Sequence, residues 1–201
     1  MDIRVLPVGI YGANCYIVMD SKTKKSGIID PGGDGDEILH EIKKMKTKPQ
    51  CILLTHGHMD HTGAADELRK KFNIPIYISA ADEKLIQKNE EIFGKLGKSN
   101  KADIYLNDKD IIKIGDLDVK CINTPGHTPG GVSFYTRGIL FTGDTLFKGS
   151  IGRTDLAGGN FESIIESIKN KIMVLADSIK VLPGHGPATT IEYERNNNPF
   201  I

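Results

Sequence analysis

The sequence predicts an α+β fold of four layers, with two sheets packed face to face and helices outside, in the order αβ/βα. Three observations predict it. Strands followed by helices occur in each half of the chain. Elements that are apolar on one face must bury that face, and two sheets with outer helices is the natural layering. No low-complexity linker interrupts the chain, so residues 1–201 are expected to form one domain, long enough to bury a sizeable core.

The first third reads as strands. IRVLPV, CYIVMD and SGIID are short, β-branched or aromatic, and separated by Gly, Asn and Lys turns. Ile38, Leu39, Ile42 and Met45 recur at helical spacing and predict a helix over 35–46, closed by Pro49. CILLT is a buried strand. A second helix is expected over about 62–72, with Leu68 and Phe72 inward. IPIYIS reads as a strand and ADEKLIQK as a third helix. The polar stretch 88–102, with Gly94 and Gly97, predicts a mobile loop or a short irregular helix. The second half repeats the pattern. DIIKIG, LDVKCINT, GVSFYT and GILFTGD are strands with hairpin-like turns. FESIIESIKNKI is an amphipathic helix with Ile164, Ile165 and Ile168 on one face. SIKVLPGHGP is a strand running into a Gly/Pro turn.

Composition excludes several classes. Hydrophobic residues are 39% and charged residues 26%, ordinary for a soluble globular protein. Lys+Arg and Asp+Glu both number 26, so the basic excess of a general nucleic-acid binder is absent. The lysines at 22–25 and 43–48 read as solvated loops and helix faces. The N-terminus lacks the basic region and apolar run of a signal peptide. No window approaches the roughly 18–20 apolar residues that span a bilayer. Cys15, Cys51 and Cys121 lie far apart and read as buried thiols, with a catalytic or ligand role as the alternative, which fits a reducing cytoplasm.

Chemistry concentrates in four turns. LLTHGHMDHTG holds His56, His58, Asp60 and His61 within six positions, in a chain with six histidines. TPGHTPGG adds His127, FTGDT adds Asp144 and LPGHGP adds His185. Each turn follows an apolar strand, so all four can converge on one edge of the sandwich. Neighbouring glycines let the backbone turn sharply and leave room for a metal and substrate. Imidazole and carboxylate suit Zn²⁺, and also Fe or Mn. Seven candidates exceed one open site; two sites sharing a bridging carboxylate use all seven. Two metals about 3.5–4 Å apart can hold a hydroxide and polarise a carbonyl or phosphoryl oxygen. His40, alone on the first helix, is expected to be an ordinary polar residue. Asp30, in GIIDPGGD, ends a strand and reads as an acceptor orienting a histidine, with a simple turn residue as the alternative.

THGHMDH, PGHTPGG, FTGDTLF and PGHGP, in that order over nearly the whole chain, resemble the metallo-β-lactamase superfamily. The resemblance implies that family's αβ/βα sandwich, with the site along one edge. It implies His56, His58 and His127 at one metal, Asp60, His61 and His185 at the second, and Asp144 bridging. Asp60, His127 and Asp144 are then the residues expected to carry catalysis. GDTLF, GSIGRTDLAGG and ATTIEYERNNNPF are similar to short glyoxalase-II-like hydrolases. These imply hydrolysis of a small-molecule thioester: hydroxide generated at the metals attacks the carbonyl, the second metal stabilises the oxyanion and a thiol leaves. Arg153 and Asp155 would order the loop or orient a ligand, with a surface ion pair as the alternative.

Departures from that pattern shape the expected substrate. GRTDLAGG stands in place of a GRFFEG-like segment, and the C-terminal helical domain that helps full-length glyoxalase II enzymes bind glutathione is not seen before Ile201. Glutathione thioesters are therefore expected to bind weakly. GRTD also occurs in persulfide dioxygenases, where His56, His127 and Asp144 would hold a single iron. Lactone hydrolases tend to carry tyrosine where Phe147 stands. True β-lactamases are not expected, since they are exported and lack a bridging aspartate like Asp144. The superfamily's RNA-processing nucleases carry an RNA-binding arm, and diiron domains of flavoproteins usually have Glu in place of His58. Tyr11, Phe93 and Phe147 are pocket candidates by position alone, and each reads more readily as core.

Overall fold

The computed structural model describes all of residues 1–201. The first sheet runs in chain order: β1 (Asp2–Val8), β2 (Ala13–Met19), β3 (Lys25–Ile29), β4 (Lys48–Leu53), β5 (Ile76–Ile78) and β6 (Ile104–Tyr105). β1 to β3 are antiparallel, and β3 to β6 are parallel. Between them lie α1 (Gly35–Met45), α2 (Met59–Thr62), α3 (Ala65–Phe72) and α4 (Ala80–Gln87). The second sheet holds β7 (Ile111–Ile114), β8 (Leu117–Asn123), β9 (Val132–Thr136), β10 (Ile139–Gly143), β13 (Lys180–Pro183) and β14 (Thr189–Thr190), in the order β14-β13-β10-β9-β8-β7. A small hairpin, β11 (Leu146–Phe147) and β12 (Ser150–Ile151), precedes α5 (Phe161–Ser167), and α6 (Ile191–Asn197) closes the chain.

The core has three parts, and they establish the four layers. Tyr16, Val18, Ile29 and Leu53 of the first sheet meet Val119, Cys121, Phe134 and Phe141 of the second. Tyr16 packs edge-on against Phe141, with centroids 5.1 Å apart. Side chains alternate along a strand, so Ile17, Ile28 and Ile52 face the other way, against Ile38 and Ile42 of α1, Leu68 of α3 and Ile86 of α4. On the far side, Leu140 and Val181 meet Ile164, Ile168 and Ile191. The αβ/βα sandwich is thus formed as predicted.

Four local expectations are corrected. The helix expected over 62–72 is two pieces, because the Ala64 N–H turns to the Pro31 carbonyl at 2.9 Å. Pro49 lies inside β4 and is not the stop of α1, which ends at Lys46 in a left-handed conformation. β5 pairs only with Ile52 and Leu53, so the missing Pro49 N–H leaves no gap in that ladder. The 88–102 stretch is a packed loop: Phe93 and Leu96 are buried, and main-chain bonds of 2.9 Å join Met59 to Ile92 and Gly94 to Gly57. α5 continues as a wider, π-helical turn over Ile168–Ile172, closed by the Met173 N–H on the Ile168 carbonyl. The short strands β6, β11, β12 and β14 and helix α6 lacked a long enough periodic pattern to be foreseen. No helix is long and apolar enough to cross a membrane.

Candidate metal centre

β3 and β4 are parallel, as are β10 and β13, so within each sheet paired strands finish at a common edge. Asp30 follows β3, and Thr55 to His61 follow β4. Asp144 follows β10, His185 follows β13, and His127 lies in the turn between β8 and β9. All seven residues singled out in the sequence meet there. His56, His58 and His127 form one buried triad, and Asp60, His61 and His185 form a second. Asp144 lies between them: Oδ1 is 3.5 Å from His61 Nε2, and Oδ2 is 3.6 Å from His127 Nε2 and 3.7 Å from His185 Nε2. His40 is exposed on α1.

The donor set fits metal ions. His56 Nε2, His58 Nε2, His61 Nε2 and Asp144 Oδ1 are buried without a hydrogen-bond partner. Leaving buried polar atoms unpaired costs on the order of 1–3 kcal/mol each. His58 Nδ1 and His127 Nε2 also face each other at 3.0 Å. Zn–N bonds of about 2.0–2.1 Å in tetrahedral geometry place neighbouring ligand atoms about 3.3 Å apart. Cations between these rings would satisfy the cluster.

Outer contacts orient the rings. Asp30 Oδ2 lies 3.1 Å from His61 Nδ1, so the role of orienting acceptor matches its place, although it also sits in a left-handed turn at φ 50°. His127 Nδ1 lies 2.7 Å from the Arg153 carbonyl. The Arg153 guanidinium instead makes a two-pronged pair with Asp155, both bonds 2.8 Å and both side chains exposed. Asn14 donates its amide to the carbonyls of Pro183 and Gly186, each at 3.0 Å, and so brackets His185. The His58 ring rests edge-on against Phe93.

Electrostatics divide the histidines. Burial and the neighbouring imidazoles hold His56 well below its usual range, and bring His58 down to about 3. Burial also opposes protonation of His61, but Asp144, Asp30 and Asp60 outweigh it and carry that ring up to about 9. Burial disfavours the Asp60 carboxylate, yet the His185 hydrogen bond at 3.1 Å and the His61 charge hold it at about 2. The three cysteines are buried as expected; desolvation raises each thiol, to about 12 for Cys51 and Cys121.

A cavity of about 430 Å³ opens over the centre. His58, Asp60, His127, Asp144 and His185 form its floor, and Tyr11, Met59, Ile92, Leu156 and Arg153 its walls. Tyr11, expected in the core, is exposed on this wall, because its turn projects beyond β1 and β2. Phe93 is core, and Phe147 lies beside His185 with centroids 6.3 Å apart. One buried carboxylate that reaches the site was not singled out in the sequence. Asp82 reaches both the His58 and His127 turns. The only sequence signal is Ser79-Ala-Ala-Asp82, which looks like an ordinary helix start.

Residues 8–185 match the model of the metallo-beta-lactamase superfamily. A Haemophilus influenzae protein named hydroxyacylglutathione hydrolase GloC is 37% identical, covering 100% of this chain and 98% of that protein. The crystal structure of BLEG-1, described as a B3 metallo-beta-lactamase, superposes with a TM-score of 0.90 at 37% identity, covering 99% of both chains. That of TTHA1623, described in a di-iron-bound form, gives 0.86 at 30% identity, covering 98% of this chain and 100% of that one. With its fold, donor residues and full-length relatives in agreement, the chain belongs to the metallo-beta-lactamase superfamily.

Proposed function

We propose that this metallo-hydrolase cleaves small-molecule acyl thioesters at a two-metal centre. His56, His58 and His127 would hold one ion, Asp60, His61 and His185 would hold the other, and Asp144 would serve both. The observation that carries this reading is the meeting of two ligand triads on either side of Asp144, with His56 Nε2, His61 Nε2 and Asp144 Oδ1 buried and without a hydrogen-bond partner. Zinc suits these donors, and so do iron and manganese. Bound there, such ions lower the pKa of water to about 7 and polarise an acyl oxygen. Asp60, ionised at neutral pH and partly open to the cavity, would orient the attacking water as a hydrogen-bond acceptor. His127 and Asp144 set the position of the reacting centre. Tyr11, Met59, Ile92 and Leu156 offer apolar surface to the acyl and thiol arms.

The thioester is supported by the 37% identity to a protein named as a hydroxyacylglutathione hydrolase. A β-lactam amide is the second reading, and the likeness to BLEG-1 favours it against the expectation from sequence. The test is turnover of S-D-lactoylglutathione and of a chromogenic cephalosporin by the zinc-loaded and iron-loaded protein. Thioester turnover that is lost in His127→Ala, with an unchanged circular dichroism spectrum, supports the proposal. Cephalosporin turnover alone would replace it with the second reading, and undiminished turnover in His127→Ala would remove the site assignment.

A further inference from the structure

Asp82 sits in the first turn of α4, fully buried, and no step above uses it. Its Oδ2 accepts the Gly57 N–H at 2.8 Å and the Thr128 hydroxyl at 2.8 Å, and its Oδ1 accepts the Gly130 N–H at 2.7 Å. Gly57 stands between His56 and His58, and Thr128 follows His127. The first turn leaves the first sheet, and the second belongs to the second sheet. One carboxylate therefore joins the two sheets at the first triad. Its own helix does not need it as a cap, because Ser79 Oγ already accepts the Asp82 N–H at 3.2 Å. The neighbouring glycines permit the approach: a Cβ on Gly130 would run into Ser79 Oγ, and one on Gly57 would crowd the Phe93 ring.

We propose that Asp82 is a positioning residue that latches the His56–His58 turn to the His127 turn and so presets the geometry of the first metal triad. The proposal rests on the metal-centre reading above. Asp82→Asn keeps the shape but must turn an amide N–H toward either the Gly57 or the Gly130 N–H, releasing one turn. It leaves the second triad, which Asp82 does not touch, in place.

The experiment measures zinc affinity of the full chain by competition with a chromophoric chelator. Asp82→Asn is expected to bind zinc about 10–100-fold more weakly, the usual effect of losing an outer partner. Ile86→Ala, a core change in the same helix, is expected to lower the Tm and keep wild-type affinity. In a His127→Ala background, Asp82→Asn should add almost nothing, whereas in a His185→Ala background its full effect should persist. Thr128→Val, which removes one of the three bonds, should show a smaller loss in the same direction and carries the test if Asp82→Asn does not fold. Wild-type affinity in Asp82→Asn, or an equal loss in Ile86→Ala, overturns the latch. A wild-type chain that retains no zinc overturns the metal-centre reading beneath it.

Discussion

Asp30 and His61 meet at 3.1 Å between Oδ2 and Nδ1, and the same carboxylate orients a second histidine through Thr55. The Thr55 hydroxyl donates to Asp30 Oδ2 at 2.6 Å and lies 3.0 Å from His56 Nδ1. With its own proton committed to Asp30, that hydroxyl accepts from His56 Nδ1–H. The outer nitrogens of both rings are thereby occupied and both Nε2 atoms face inward. Asp30→Asn is predicted to weaken zinc binding about 10–100-fold, measured by chelator competition. An unchanged affinity would leave Asp30 as no more than a turn residue.

Arg153 reaches His127 only through its carbonyl. Its guanidinium is exposed and paired with an equally exposed Asp155. Exposed ion pairs contribute little, so Arg153→Ala should leave kcat/KM within about twofold and the Tm unchanged. A large loss of kcat at unchanged KM would show that the side chain acts in the reaction.

Metal uptake should release protons. In the metal-free protein, His61 has a pKa near 9, above the ordinary 6.5. Because the folded value is raised, this group stabilises the metal-free fold fully below about pH 6.5, and the contribution is lost as pH rises through about 9. His61 is thus charged at neutral pH, and its Nε2 must shed a proton to bind a metal. Calorimetric titration with zinc near pH 7.5, in buffers of different ionisation enthalpy, should report release of at least about one proton per chain. A heat independent of buffer would contradict the assigned charge.

The cavity walls bear on the thiol carrier. Glutathione carries two carboxylates, and the charge of Arg153, the one Lys or Arg among the lining residues, is offset by Asp155 beside it. S-D-lactoylglutathione should therefore show a KM toward the upper end of the usual range, approaching about 1 mM. Thioesters of smaller or more apolar thiols should show lower values. A micromolar KM for the glutathione thioester would refute this.

The chemistry of the site was legible because it is local. His56, His58, Asp60 and His61 share one turn, and glycine marks each of the other turns that bear a candidate ligand. The strand-then-helix order and the alternation of apolar residues were equally local, and they determined the layered fold. Tertiary structure decided what depends on distant partners. His185 meets Asp60 across 125 positions, and Asp82 meets Gly130 across 48. No periodicity distinguishes Asp82 from a solvated first-turn acid, since only the packing of α4 beneath both turns buries it. Tyr11, a pocket candidate by position alone, read more readily as core, and only the projection of its turn exposes it over the cavity. The break between α2 and α3 likewise comes from the Pro31 carbonyl of a different loop, which accepts the Ala64 N–H. A single chain determines its donors and its periodicities; which of them face one another is settled only when the two sheets close.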